Sequence, residues 1–171
     1  LNVNASMKKL NVLSNSIGTE GGQALVDAAP PQLQTFCGFT EDQTEAKLSQ
    51  QGLGPGDAVL LAWELTTGYV SASITKLNLA ENALCGKDKY GRGTYNATGI
   101  QAIATALNVN ASITKLDLFN NRIGSEGAVA LGKALEVNAS ITNLDLHKNA
   151  IGSEGAVALA KALEVNASVS Y

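Results

Sequence analysis

Residues 107–134 read LNVNASITKLDLFNNRIGSEGAVALGKA, and residues 135–162 read LEVNASITNLDLHKNAIGSEGAVALAKA. The offset is 28 residues, and 22 of the 28 aligned positions are identical. A third copy starts at Leu163 as LEVNASVSY. A period between about 20 and 50 residues is the signature of a solenoid, in which each unit packs only on its neighbours. The period predicts the architecture before any single residue is weighed. It also moves the functional question from catalytic clusters to surfaces.

Within the two copies the apolar positions follow L-x-x-L-x-L-x-x-N-x-L. One set is Ile113, Leu116, Leu118, Asn121, Ile123, and the next is Ile141, Leu144, Leu146, Asn149, Ile151. Two earlier sets fit: Met7, Leu10, Val12, Asn15, Ile17, and Ile74, Leu77, Leu79, Asn82, Leu84. The Leu-x-Leu pair has the period of a strand with one buried face. The segment SEGAVALGKALE carries Ala128, Leu131 and Leu135 at helical spacing. Ser125 and Ser153 are placed to cap that helix, with Glu126 and Glu154 suited to its dipole. Each unit is expected to run strand, turn, helix, return loop.

This pattern resembles the leucine-rich repeat, and a 28-residue unit with a full helix resembles the ribonuclease-inhibitor-like subfamily. The resemblance covers nearly the whole chain. It implies an α/β solenoid, curved, with parallel strands on the concave face and helices on the convex face. It also implies that Asn15, Asn82, Asn121 and Asn149 turn inward and hydrogen-bond the backbone of neighbouring turns. The cysteine-rich repeats of ribonuclease inhibitor itself are not present.

The chain has 171 residues, 45% hydrophobic and 16% charged, with a net charge of −3. That suits one soluble domain, residues 1–171, with a sizeable core. No basic run provides the electrostatic footprint of a nucleic-acid binder. The longest apolar stretch, residues 58–63, is too short to cross a bilayer. No signal peptide is visible. Cys37 and Cys85 make no disulfide framework, and two thiols suit a reducing, cytoplasmic compartment. A disulfide between them, in adjacent irregular units, is geometrically conceivable. Five N-x-S/T sequons occur, at Asn4, Asn96, Asn110, Asn138 and Asn166. Four are the same repeat position, VNAS, so their number overstates the case for a glycosylated, secreted protein.

Two units break the period. Residues 29–64 carry 8 extra residues over the repeat, and residues 65–106 carry 14. In the first, Leu33 and Phe36 look like the start of a strand, and Ala46, Leu48, Gln51 and Leu53 then resume the register. Gln51 stands where Asn is expected. In the second, the excess lies in LCGKDKYGRGTYNATG, a Gly-rich loop between strand and helix. Leu1 begins in a return loop and Tyr171 ends at the start of a strand. An uncapped solenoid exposes its end strands and core, so the chain reads as a fragment of a longer array, or as one whose ends partners cover.

On the concave face implied by the resemblance, the positions between the leucines form columns. These are Lys9, Lys76, Lys115, Asn143; Asn11, Asn78, Asp117, Asp145; Leu13, Ala80, Phe119, His147; and Ser14, Glu81, Asn120, Lys148. The two clean copies differ at six places, and three of them lie in these columns: Lys115/Asn143, Phe119/His147 and Asn120/Lys148. The others are Asn108/Glu136, Arg122/Ala150 and Gly132/Ala160. Copies diverge where the fold does not constrain them and a partner can dock; neutral drift explains the same pattern. Candidate partner contacts are therefore Lys76, Asn78, Lys115, Asp117, Phe119, Asn120, Asn143, Asp145, His147 and Lys148.

The loop 87–93 is basic and Gly-rich but lacks the G-x-x-x-x-G-K-[ST] phosphate pattern. It reads as a flexible excursion, or as a contact loop anchored by Tyr90, Arg92 and Tyr95. Helix DAVLLAWEL, residues 57–65, is apolar all round and needs a cover. Either residues 40–44 fold over it or a partner does, through Trp63. His147 is the only histidine, neither cysteine's repeat adjoins it, and no ligand cluster supports a metal. No catalytic residue, cofactor or metal is expected. The chain reads as a non-enzymatic protein-interaction or scaffold module with a protein partner, no nucleic acid and no membrane insertion. The alternatives are a regulator of a small GTPase or enzyme, and a structural subunit of a large assembly.

Overall fold

The Leu-x-Leu pairs form strands with one buried face, as a period of two demands. A computed structural model describes residues 6–67, 70–88 and 90–166. Strands β1 (Glu45–Lys47), β2 (Lys76–Asn78), β3 (Lys115–Asp117) and β4 (Asn143–Asp145) lie parallel in the order β1-β2-β3-β4. Their register puts Ala46, Leu77, Leu116 and Leu144 in line. The ladder continues beyond the three-residue strands: Glu81 N donates to Phe119 O at 2.7 Å and Asn120 N to His147 O at 3.0 Å. Leu77, Leu79, Leu116 and Leu118 are buried. Each such leucine contributes about 2 kcal/mol.

The helices are α1 (Gly18–Asp27), α2 (Pro55–Thr66), α3 (Thr98–Leu107), α4 (Gly124–Val137) and α5 (Gly152–Val165). Each packs on its neighbours in sequence, which makes an α/β repeat solenoid. Ala128, Leu131 and Leu135 of α4 are buried, as their spacing predicts. The expected serine caps do not form. Helix α4 starts at Gly124, Ile123 occupies the cap position without a side-chain bond, and Ser125 lies inside the first turn; α5 repeats this with Ile151 and Ser153. Ile123 must enter the core, where it is fully buried. That requirement sets where the helix begins. The glycine that follows turns through the left-handed region, φ +69° at Gly124 and +63° at Gly152.

The inward asparagines are in place. Asn121 Nδ2 donates to Leu79 O at 2.8 Å, Leu118 O at 3.1 Å and Phe119 O at 3.2 Å. Asn149 Nδ2 reaches Leu118 O at 2.8 Å, and its Oδ1 accepts from Asn121 N at 2.8 Å. Asn82 does the same between Leu48 O and the amides of Gln51 and Leu53. Asn15 differs: it is exposed and bonds Val12 O and Leu13 O of its own turn. Asn121→Ala takes one of the donors from each of these three carbonyls, leaves a void at a fully buried position and is expected to cost about 1–3 kcal/mol. A thermal melt that matches the wild type rejects this role.

The unit 29–64 forms an additional rung. Its 34–36 segment pairs with the first unit, with Gln34 N donating to Lys8 O at 2.7 Å, Leu10 N to Thr35 O at 3.0 Å and Val12 N to Phe36 O at 3.1 Å. Lys9 therefore lies beside Thr35 in a parallel bridge and not beside a lysine column. Gln51 does not perform the inward role of Asn. Its longer side chain turns out to Lys47 O, and buried Asp57 accepts Ser14 N at 2.8 Å from the neighbouring turn.

One of the six differences between the clean copies has a packing cause. A Cβ on Gly132 would meet the Ala158 carbonyl carbon and oxygen at 2.9 Å, whereas Ala160, one repeat on, is exposed. Cys37 and Cys85 are free and buried, so no disulfide joins them. Burial pushes the Cys37 thiol well up and raises Cys85 to about 12, which keeps both protonated.

Candidate functional site

The outward positions of the strands form a grid. By register the first row is Glu45, Lys76, Lys115 and Asn143, and the second is Lys47, Asn78, Asp117 and Asp145. The continuing ladder adds Ala80 beside Phe119 and His147, then Glu81 beside Asn120 and Lys148. Three members of the second row are committed to the backbone. Asn78, Asp117 and Asp145 each accept, through Oδ1, the amide two residues on, at 3.0, 3.0 and 2.8 Å. That turn needs a short side-chain oxygen, which explains Asn or Asp at these three positions; Lys47 in the same row has no such oxygen. The last row is left-handed at Glu81, Asn120 and Lys148, with φ of +55°, +53° and +57°.

The rings of Phe119 and His147 lie 5.4 Å apart at 40°, and Lys148 Nζ sits 5.3 Å from the Phe119 centroid. Phe119 is half-buried, and His147 and Lys148 are exposed. The fold thus gathers three of the expected contacts into one aromatic patch at the end of β3 and β4. Lys76, Lys115 and Asn143 stand exposed four residues back along the strands.

The profile of the family described as "Leucine Rich repeat" matches residues 3–26, 109–132 and 137–160. Among solved structures the chain is similar to actin-binding site 2 of leiomodin-1, with a TM-score of 0.61 and 22% identity over 75% of this chain and 68% of that one. It is also similar to the tropomodulin C-terminal domain of Caenorhabditis elegans, with a TM-score of 0.51 and 18% identity over 96% of this chain and 86% of that one. The chain contains leucine-rich repeats. No curated protein sequence matches it.

In this leucine-rich-repeat chain the inserted loop is tied down more firmly than its composition predicts. Asp88 accepts the amides of Tyr90 and Arg92 at 2.9 Å and the Arg92 guanidinium at 2.7 Å. That guanidinium holds the Asp88 carboxyl below its usual value. Arg92 also lies 5.1 Å from the Tyr90 ring centroid. Tyr90 and Arg92 remain exposed, so they stay available for contact. Lys89 lies outside the described residues. Tyr95 is not a free anchor: its hydroxyl donates to Ile123 O at 2.7 Å, which pins the loop to the next repeat.

The cover over α2 comes from within the leucine-rich-repeat chain, but not from residues 40–44, which are mostly exposed. The preceding Phe36 packs edge-on against Trp63, with centroids 5.0 Å apart at 67°. Trp63 is half-buried and lines a groove of about 290 Å³ with Val26, Val59, Ala62, Ala102 and Ala106. Its emission in the isolated chain is expected to be blue-shifted from that of a solvated tryptophan, and Phe36→Ala to shift it red. Unchanged emission in that variant rejects the contact.

Sequence reading missed Glu64 and the VNAS asparagines. Fully buried Glu64 accepts, through Oε1, from the Thr35 hydroxyl at 2.7 Å, Phe36 N at 2.6 Å and Cys37 N at 3.0 Å. An acid inside the apolar run that follows Asp57 in DAVLLAWEL was the available signal. Asn110, Asn138 and Asn166 form a second internal ladder. Asn138 Nδ2 donates to Leu107 O at 2.7 Å and Asn110 O at 2.9 Å, and Asn166 Nδ2 donates to Leu135 O and Asn138 O. N-glycosylation would modify that same nitrogen, which is enclosed at all three positions. Asn96 is half-exposed, and Asn4 lies outside the described residues. Among the described residues no group of three or more His, Cys, Asp or Glu could hold a metal, and no helix is long and apolar enough to cross a membrane.

Proposed function

We propose that the chain is a non-enzymatic interaction module that binds a protein partner on its concave face, with Phe119 and His147 as the central contacts. The observation that carries this reading is the tilted, solvent-facing ring pair with Lys148 over it, set among polar strand positions. Aromatic residues are enriched among the few residues that carry most of an interface's binding energy. The 28-residue period favours the ribonuclease-inhibitor-like subgroup. The leiomodin-1 fragment is named for an actin-binding site, which makes actin the first partner to try and a cytoplasmic setting the natural one.

The test is a selection of displayed protein fragments on the immobilised chain, with filamentous actin as a defined arm. Binders released by Phe119→Ala/His147→Ala but retained by the convex-face variant Lys133→Glu support the reading. Binders indifferent to the double substitution, or no binder at all, overturn it.

A further inference from the structure

Resting on the concave-face reading, we propose that the segment bound there is acidic and extended, with carboxylates on Lys76 and Lys115 and an apolar side chain over Ala80, against the Phe119 ring. The grid is formally neutral, with Glu45, Glu81, Asp117 and Asp145 against Lys47, Lys76, Lys115 and Lys148, and what points this way is how those charges are partnered. Its carboxylates are engaged: Glu45 by Lys47 at 3.5 Å, Glu81 by Gln50 Nε2 at 2.9 Å, and Asp117 and Asp145 by backbone amides. Lys76 and Lys115 are adjacent in register and exposed, and among the described residues neither has a carboxylate within 4.0 Å. Like charges side by side on neighbouring strands oppose each other, and an anion placed between them relieves that repulsion.

The shape of the face supplies the second half. Ala80 occupies the row of Phe119 and His147, so the sheet has a small residue beside a half-buried ring. The lysine row and the Ala80–Phe119 row are four residues apart along the strands, about 13 Å at 3.3 Å per residue. An extended partner that follows the strands therefore presents its acidic and apolar residues about four positions apart.

The probe is a fluorescein-labelled peptide with a central phenylalanine, three serines on each side and two glutamates at each end, which reads alike in both chain directions. It is titrated by anisotropy against the full chain, beside a counterpart with lysines in place of the glutamates and another with glycine in place of the phenylalanine. The expected result is saturable binding of the acidic probe that weakens at about 0.5 M salt, where charges are screened within a few Å. Lys76→Glu/Lys115→Glu should lower its affinity at least about tenfold with an unchanged circular dichroism spectrum, as should Ala80→Leu, which fills the notch. Binding of the lysine peptide with equal affinity overturns the proposal, as does indifference to the charge reversal or the lack of saturable binding at millimolar probe. If the selected fragments depend on Phe119 and His147 but are not acidic, the concave-face reading stands and this inference falls.

Discussion

Glu64→Ala is expected to lower the unfolding free energy by at least about 3 kcal/mol, because it leaves the Thr35 hydroxyl and the Phe36 amide buried without an acceptor and takes one of two acceptors from the Cys37 amide. Chemical denaturation read against the wild-type midpoint measures it. The same residue carries a pH dependence. Burial raises the Glu64 carboxyl above its ordinary value of 4.5, against the opposing pull of the bonds from Thr35, Phe36 and Cys37. The folded chain therefore holds this proton more tightly than the unfolded chain. Its contribution is fully present below pH 4.5 and is lost as pH rises through the elevated folded value. Glu64→Gln keeps an acceptor for the three donors and removes the ionisation. Its stability should fall less than that of the wild type as pH rises through that window. Parallel curves for the two proteins reject the role assigned to ionisation, and a wild-type midpoint in Glu64→Ala rejects the structural one.

Asn138→Ala is the second large effect, expected at about 3 kcal/mol. It strips a donor from Leu107 O at the end of α3 and from Asn110 O, and an acceptor from the amides of Ser140 and Ile141 in the return loop. Ser140→Ala separates this from any role in glycosylation. It destroys the same sequon but removes only the hydroxyl bond to Asn138 Oδ1 at 3.1 Å, so it should cost about 1 kcal/mol or less. Equal losses from the two substitutions contradict the ladder.

Most of the architecture was legible because it obeys a repeat. The leucine register and the buried face of α4 follow from periodicity, and the inward Asn121 and Asn149 from the resemblance to leucine-rich repeats, since burial and the backbone bonds of a turn recur from unit to unit. Ser125 was misread as a cap because local preference was weighed without the demand that Ile123 enter the core. The unit 29–64 was only half legible. Its rung pairs Lys8 and Leu10 with Gln34 and Thr35 at a separation no other unit uses, and the acid that secures it, Glu64, lies far along the chain. The VNAS asparagines were visible in every copy. A sequon and a buried ladder position share one spelling, however, and only the placement of the Nδ2 atom tells them apart. On the concave face the Asn/Asp column looked like surface chemistry, yet it is turn chemistry. That leaves Lys76, Lys115, Phe119, Asn120, Asn143, His147 and Lys148 as the candidate contacts on this face.

The missing methyl at Gly132 has a consequence for the history of the array. The two near-identical copies are not interchangeable: an alanine at that site strikes the backbone of the helix stacked after it. Tandem duplication of residues 107–134 would add a unit that fits beneath another, whereas duplication of residues 135–162 would force the helices apart at each new junction. Recombination can thus lengthen this protein easily by one template and only with strain by the other, although the two differ at six positions.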